Sequence, residues 1–278
     1  YDAFGTDGFD DLYHVYERDA TIPRKTTGAQ ELFLDLLKER AETGRIYIMN
    51  IDHCNSHSSF LDKVEMSNLC QEITLPTKPL QHIDDTDGEI ALCILSAINV
   101  GKIRDHEDLE VLCDLAVRSL DELIDFRGYP VKAAEIATRA RRSLGVGFIG
   151  LAHYLAKNHV AYGDKEALEL VDETTEAFQY YLLKASNNLA QEKGQCEYFE
   201  KTKYSDGILP IDTYKKDLDK IVKRKLSYDW KQLRKDIQEH GLRHSTLSAQ
   251  MPSESSSVVS NATNGIEPPR DYLSVKKS

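Results

Sequence analysis

The residues best suited to chemistry lie in the segment 67–73 (SNLCQEI), where Asn68, Cys70 and Glu72 occupy every second position. In an extended segment, residues two apart project to the same side. The spacing therefore predicts a thiol between an amide and a carboxylate on one face. Because a carboxylate raises the pKa of a neighbouring thiol, this arrangement favours a neutral sulfur beside a separate base over a thiolate nucleophile.

The chemistry predicted for this row is proton transfer and hydrogen bonding around one thiol. Glu72 can take a proton from a hydroxyl, and Asn68 can hold a neighbouring hydroxyl or a developing carbonyl. Taken alone, Cys70 would be interpreted as a small core residue. A rival hypothesis is a Cys-His hydrolase in which Cys70 is the nucleophile and His53 or His57 is the base. Glu72 argues against that rival.

Two other patterns resemble binding sites. His53, Cys54 and His57 resemble metal ligands, but no second cysteine pair or carboxylate completes a zinc set, so a loop lining the site is favoured. The segment 145–150 (GVGFIG) matches GxGxxG, yet it follows a basic helical stretch where a dinucleotide fingerprint requires a buried strand. Close packing of helices through these glycines is the preferred interpretation.

The segment 251–257 (MPSESSS) has the composition of a helix start. The free backbone N–H groups and the positive dipole end of a helix can hold a phosphate. The alternative is that Ser253 or Ser255 simply caps the helix, and the residue types do not decide between capping and phosphate binding.

The remaining cysteines give no sign of a disulfide framework. Five cysteines form an odd set without CxxC pairs, which predicts reduced thiols and no zinc ribbon. Cys93 lies in an apolar run, Cys113 on the apolar stripe of a predicted helix, and Cys196 after a helix end. On this evidence alone, all three are predicted to pack in the core.

Composition indicates a globular protein of the cytoplasm. The 278 residues are 41% apolar and 29% charged, and the net charge of −11 disfavours non-specific nucleic-acid binding. No apolar run approaches the roughly 20 residues needed to cross a membrane, and no signal peptide is evident. The chain starts at Tyr1 rather than Met and ends soon after a strand-like stretch at 272–275. We expect it to be a segment of a longer protein.

Hydrophobic periodicity predicts an α/β organisation with large helical insertions and no repeat or linker. The predicted helices are 29–43, 107–126, 132–142, 146–157, 166–192, 213–224 and 230–239. The predicted strands are 45–51, 242–251 and a buried strand or segment within 89–99. A polar loop is predicted at 52–58.

Five further segments accompany 67–73, namely 75–80 (LPTKPL), 88–93 (GEIALC), 207–214 (GILPIDTY), 251–256 (MPSESS) and 261–270 (NATNGIEPPR). Together they resemble the large subunit of aerobic class I ribonucleotide reductase, of the bacterial and bacteriophage type, over nearly the whole chain. The resemblance implies an oxidoreductase that converts ribonucleoside diphosphates to 2′-deoxyribonucleoside diphosphates for DNA synthesis by a thiyl-radical mechanism.

The resemblance also implies residue roles. Cys70 would become the thiyl radical that abstracts the 3′ hydrogen of the ribose, Glu72 would deprotonate the 3′ hydroxyl, and Asn68 would hold substrate hydroxyls. Cys93 would be one of two thiols that reduce the 2′ position and then form a disulfide, which overrides its packing interpretation. The second thiol has no counterpart here. The implied substrate-binding residues are Asn68, Leu69, Cys70, Gln71 and Glu72 for the ribose, and Pro252, Ser253, Glu254, Ser255 and Ser256 for the diphosphate.

The implied fold is a ten-stranded α/β barrel with a central finger loop. Residues 1–278 would form a single segment supplying about half of it, without the N-terminal nucleotide-binding domain or the C-terminal tail. No metal ligand is implied in this chain. The implied partners are a metal-containing small subunit that generates the radical, thioredoxin or glutaredoxin, a second large subunit, and the preceding N-terminal segment, which would bind ATP or dNTP effectors.

Two alternatives remain open at this point. The chain could be a catalytically silent structural half that assembles with a separate N-terminal half. It could also be a cobalamin-dependent relative, which shares the Asn-x-Cys-x-Glu pattern. The segment alone is expected to be inactive.

Overall fold

A computed structural model of the chain describes residue 3, residues 8–126 and 128–271, and residue 273. The α-helices, numbered α1 to α9, are Gly8–Arg18, Ala29–Thr43, Ile51–His57, His106–Asp125, Lys132–Arg141, Leu151–Lys157, Lys165–Lys193, Trp230–His240 and Glu254–Val259. The strands are β1, Ile94–Asn99, and β2, Leu144–Ile149. Short 3₁₀ turns cover Val100–Lys102, Phe199–Lys201 and Lys216–Lys220. The strand-like stretch 272–275 lies outside the described residues except for Leu273.

Helices α4 and α7 form the centre of the core. Helix α4 starts at Asp105, whose carboxylate accepts from the Asp108 N–H, and it buries a stripe that includes Leu109 and Val117. This stripe follows helical spacing, which is why the helix was predictable. Helix α7 is 29 residues long and packs its own buried residues against α4 and α8. The result is one continuous apolar cluster that also includes β1 and β2.

Strands β1 and β2 form a two-stranded parallel sheet in which Ile94 pairs with Leu144 and Asn99 with Ile149. All six residues of β2 are buried, as expected for a parallel strand covered on both faces. The segment 242–251 runs along the other edge of β2. There Val146 donates to the Leu247 carbonyl at 2.8 Å, and Ala249 donates to the Val146 carbonyl at 3.1 Å. The α/β class is thus confirmed, and the strand predicted at 242–251 is reduced to one parallel bridge between Val146 and Ser248.

Several element predictions are confirmed. Helices appear where 29–43, 107–126, 132–142, 166–192 and 230–239 were predicted, and β1 lies within 89–99. Helix α2 ends at Gly44, whose φ of 64° is the left-handed conformation that glycine adopts easily.

Other predictions are wrong. Residues 45–50 form no strand, because the described residues place no neighbouring strand beside them to take their backbone hydrogen bonds. Residues 51–57 form helix α3 rather than the predicted loop. The helix predicted at 146–157 is β2 followed by α6, because a short apolar run does not distinguish a buried strand from a buried helix. The helix predicted at 213–224 contains only the turn Lys216–Lys220.

The N-terminal helices pack differently from the core. Neither α1 nor α2 has a buried residue, and Leu32 and Phe33 of α2 are 61% and 57% exposed. A second, smaller apolar cluster, centred on Phe60, Val64 and Leu75, follows α3. Among the described helices, none has the length and apolar character needed to cross a membrane.

Candidate functional site

The segment 67–73 is a turn, so the prediction that Asn68, Cys70 and Glu72 stand in one row is wrong. The Gln71 N–H donates to the Asn68 carbonyl at 3.2 Å, and Gln71 has a φ of 60°. The side chain of Asn68 closes the turn, because its Oδ1 accepts from the Ile73 N–H at 3.1 Å. Asparagine side chains compete with extended structure in this way, which two-residue alternation does not reveal.

The turn places Cys70 beside the predicted helix start. Cys70 is exposed and lines a cavity of about 170 Å³. The other lining residues are Gln250, Met251, Pro252, Asn264, Gly265, Ile266 and Glu267. Two segments that are distant in sequence, 67–73 and 250–252, therefore share one cavity. The neighbouring Leu69 is 82% exposed at the tip of the turn.

Glu72 and Asn68 line a second cavity, of about 340 Å³, together with Cys93. Glu72 Oε2 is buried and accepts no hydrogen bond from any described residue. Burial raises the pKa of the Cys93 thiol to about 12, and the negative charge of Glu72 is a smaller cause in the same direction. The Cys93 sulfur is thus a neutral thiol near an available carboxylate. The structure brings Glu72 and Cys93 together in this cavity, while Cys70 lines the other cavity.

The segment 251–257 begins helix α9, as predicted. Ser253 is the residue before the helix, and its carbonyl accepts from the Ser257 N–H at 2.8 Å. Its own N–H donates to Asn264 Oδ1 at 2.9 Å. The Ser253 side chain makes no cap hydrogen bond, so the simple capping interpretation is not supported for Ser253. Helix geometry leaves the N–H groups of Ser255 and Ser256 without intrahelical acceptors.

Comparison with known proteins decides the family. The family model "Ribonucleotide reductase, barrel domain" matches residues 1–278. The chain belongs to the ribonucleotide reductase barrel-domain family. It is 62% identical over 283 residues to the ribonucleoside-diphosphate reductase subunit alpha of Haemophilus influenzae, covering 100% of this chain and 37% of that protein.

Two further relatives carry similar names. The chain is 56% identical over 283 residues to ribonucleoside-diphosphate reductase 1 subunit alpha of Escherichia coli, covering 100% of this chain and 37% of the relative. It is 46% identical over 277 residues to the subunit alpha of Enterobacteria phage T4, covering 98% and 36% respectively. The resemblance to ribonucleotide reductase is confirmed. The chain spans little more than a third of the length of these relatives.

Among the described residues, neither His53 nor His57 makes a hydrogen bond to Cys70. His57 lines a cavity that does not include Cys70, and its Nδ1 lies 3.0 Å from the His53 carbonyl oxygen. The Cys-His pairing required by a hydrolase is therefore not formed in the described structure. Within the described ranges, no group of three or more His, Cys, Asp or Glu side chains is placed to hold a metal ion.

The other cysteines and the glycine motif have structural positions. Cys113 is fully buried in α4 and Cys196 is 1% exposed, which confirms their assignment to the core. Gly145 and Gly147 lie inside β2, whereas a dinucleotide fingerprint needs its glycines after the strand. The predicted packing of helices through these glycines is wrong, because they lie in a strand.

Sequence reasoning missed a buried ionic network that supports the approach to Met251. Asp121 of α4 is fully buried and accepts from Arg142 Nε at 2.7 Å. His244 Nε2 lies 3.2 Å from the same carboxylate, and Ser186 Oγ lies 2.9 Å from His244 Nδ1. An ionised Asp121 makes Nε2 the donor, so Ser186 donates to Nδ1. This chain of hydrogen bonds fixes the segment 242–251 against α4 and α7.

The network also sets the charge states of its members. Burial lowers the pKa of His244 to about 4, although Asp121 acts in the opposite direction. Burial alone would raise the pKa of Asp121, but the His244 hydrogen bond and the Arg142 charge outweigh it and hold that pKa below its usual range. The signal in the sequence was the basic run 139–142, whose partners lie far along the chain and are not visible in local patterns.

Proposed function

We propose that this chain forms part of the catalytic centre of a ribonucleoside-diphosphate reductase, which makes 2′-deoxyribonucleoside diphosphates for DNA synthesis. The observation that carries the proposal is the turn 67–73, whose Cys70 lines one cavity with Pro252 and whose Glu72 lines another with Cys93. A reactive sulfur, a carboxylate acceptor, a neutral thiol and a helix start are the groups this chemistry needs. The names of the relatives support the same reaction.

In the proposed reaction Cys70 acts as a thiyl radical that abstracts the 3′ hydrogen of the ribose. Its exposure at the turn suits contact with a substrate. Glu72 takes the proton of the 3′ hydroxyl, which helps the protonated 2′ hydroxyl leave as water. The buried Glu72 Oε2 is available for this proton because no described residue donates to it.

Asn68 is proposed to hold the ribose through its amide N–H groups. Its Oδ1 accepts from the Ile73 N–H, which leaves the Nδ2 donors for a substrate hydroxyl or the ketone intermediate. The backbone from Leu69 to Gln71 lines the ribose in this proposal. The turn therefore contributes both the radical sulfur and the donor that orients the sugar.

Cys93 is proposed as one of two thiols that reduce the 2′ position. The substrate C–O bond is replaced by C–H, water leaves, and the two thiols lose their hydrogens to form one disulfide. Reduction needs the protonated thiol, and the raised pKa of Cys93 keeps it protonated at neutral pH. In the family, the second thiol precedes the segment that carries Cys70.

The diphosphate is proposed to bind at the start of α9. The residues assigned to it are Pro252, Ser253, Glu254, Ser255 and Ser256. The Ser253 N–H is already used by Asn264, so the N–H groups of Ser255 and Ser256 are the better donors for phosphate oxygens. The hydroxyl of Ser256 lies 3.2 Å from the Ser253 carbonyl and stabilises the same turn.

The rest of the reductase is proposed from the family. Residues 1–278 would be a single segment supplying about half of a ten-stranded α/β barrel in a cytoplasmic enzyme. The radical would come from a metal-containing small subunit, electrons from thioredoxin or glutaredoxin, and regulation from ATP or dNTPs on the N-terminal part of a dimeric large subunit. The relatives are named subunit alpha, which supports a partner subunit over a cobalamin-dependent enzyme.

Replacing Cys70 with Ser in the full-length subunit tests the proposal. With small subunit and thiol reductant present, deoxyribonucleoside diphosphate formation should be abolished, while binding of the ribonucleoside diphosphate remains. Cys54→Ser is the matched control, since Cys54 lies in α3 and lines neither cavity. Turnover by Cys70→Ser, or equal loss in both variants, would contradict the assignment.

A further inference from the structure

Gly145 occupies a position in β2 where any side chain would meet the Cys93 thiol. It is buried and stands opposite Leu95 of β1 in the parallel pair. A Cβ added to Gly145 would lie 2.5 Å from Leu95 Cδ2, 2.8 Å from Cys93 Sγ and 3.1 Å from Ala249 Cβ. Carbon atoms in favourable contact are about 3.5–4.0 Å apart. The thiol therefore lies in space that is open only because residue 145 has no side chain.

The backbone around Gly145 is held on both sides. On one side β2 pairs with β1, and on the other the Leu144 N–H donates to the Thr246 carbonyl at 3.0 Å and the Val146 N–H to the Leu247 carbonyl at 2.8 Å. The strand cannot retreat without breaking this ladder. An added methyl group would be accommodated by movement of its mobile neighbours, which are the end of the Leu95 side chain and the Cys93 thiol.

We propose that Gly145 is a positioning residue for Cys93, because its missing side chain lets the thiol lie against β2 in the cavity it shares with Glu72. The inference rests on the proposed function, in which Cys93 supplies one of the reducing thiols. Rotation of Cys93 about its single side-chain torsion would move the sulfur away from β2, so reduction of the 2′ position would slow. The turn that carries Cys70 provides none of the three nearest atoms and would be unaffected.

The neighbouring Gly147 shows why this role belongs to Gly145. A Cβ at Gly147 would overlap the Ala249 carbonyl oxygen and would lie 2.9 Å from Met251 Sδ. The carbonyl belongs to a backbone segment hydrogen-bonded to β2 and cannot rotate away. Substitution of Gly147 should therefore cost stability, whereas substitution of Gly145 should displace a functional side chain in a folded protein.

The test is Gly145→Ala in the full-length subunit, assayed with the small subunit and thiol reductant. A misplaced reacting group of this kind is expected to lower kcat by about tenfold to a hundredfold, with KM for the ribonucleoside diphosphate unchanged. The second readout is alkylation of Cys93 by iodoacetamide, followed by mass spectrometry of the Cys93 peptide. Because the thiol is displaced from β2 toward the cavity, alkylation should be severalfold faster than in the wild type.

Two variants make the outcome specific. Gly101→Ala is the matched control, since its Cβ would lie 2.7 Å from His153 Nδ1 rather than near the thiol, and it should keep wild-type kcat and Cys93 alkylation. The double variant Gly145→Ala with Leu95→Ala removes the shortest contact and keeps the contact with the thiol. It should fold and show the same loss of kcat as the single variant.

Several results would overturn the inference. These are wild-type kcat in Gly145→Ala, a kcat loss with unchanged Cys93 alkylation, the same loss in Gly101→Ala, or restoration of kcat by Leu95→Ala. Failure of the proposed function looks different, because Cys70→Ser would then retain turnover whatever the result at position 145.

Discussion

The core around α4 and α7 and the N-terminal region with α1 and α2 differ in how their apolar residues are used. In the core, α4, α7 and both strands bury their apolar faces in one cluster. In the N-terminal region, α2 has a comparable set of leucines but buries none of them. The comparison teaches that buried packing holds β2 and the segment leading to Met251 in place, whereas the apolar residues of α1 and α2 add no buried contacts to the core.

The largest expected effect is in the core. Asp121→Asn should lower the free energy of unfolding by about 3–5 kcal/mol, because it breaks a buried ion pair and leaves Arg142 with only the more exposed Asp125 as its counter-charge. Chemical denaturation measures this directly. Asp114→Asn is the matched control on the same helix, where the exposed pair with Arg118 is worth about 0–1 kcal/mol. Equal losses in the two variants would remove the distinction between the core and the surface.

Acid should destabilise the core through the buried His244. The folded state holds the His244 pKa at about 4, below the unfolded value of about 6.5, so only the unfolded state gains this proton between those pH values. Stability is full above pH 6.5 and is lost as the pH falls, by at most about 3 kcal/mol near pH 4. Between pH 4 and 6.5, the free energy of unfolding of the wild type should fall more steeply with decreasing pH than that of His244→Asn. Identical slopes would contradict the role of His244.

The smallest effect is expected in α2. Phe33→Ala should change the free energy of unfolding of this chain by less than about 0.5 kcal/mol, because the ring is 57% exposed. Phe199→Ala is the matched control, and since Phe199 is 4% exposed it should cost about 3–5 kcal/mol. A large loss at Phe33 would show that α2 is packed in solution and would end the comparison between the two regions.

The same contrast explains which features the sequence could predict. Helix α4 was predictable because its apolar stripe and the Asp105 cap are local signals. The start of α9 was predictable from the composition of 251–257, in which hydroxyl residues follow a proline. The turn at 67–73 was not, because the Asn68 side chain bonds to the backbone five residues later and replaces the extended conformation. Residue types and spacing predicted Cys70 and Glu72 as candidate site residues, but not their separation into two cavities.

Long-range contacts account for the other failures. Strand β2 was predicted as a helix because its pairing with β1 and with 242–251 depends on residues far along the chain. The partners of Asp121 are 21 and 123 residues away, at Arg142 and His244, so no local pattern reveals the network. The space that Gly145 leaves open for Cys93 depends on the register of β2 against β1, which no local pattern encodes.

The most direct test of the central claim is the kinetic isotope effect with substrate deuterated at the 3′ carbon. In the full-length reductase, hydrogen abstraction by the Cys70 radical predicts slower turnover of the 3′-deuterated ribonucleoside diphosphate than of the unlabelled one. Substrate deuterated at the 5′ carbon, whose C–H bonds are not broken, should turn over at the unlabelled rate. Equal rates for 3′-deuterated and unlabelled substrate, under conditions where the chemical step limits turnover, would contradict the account.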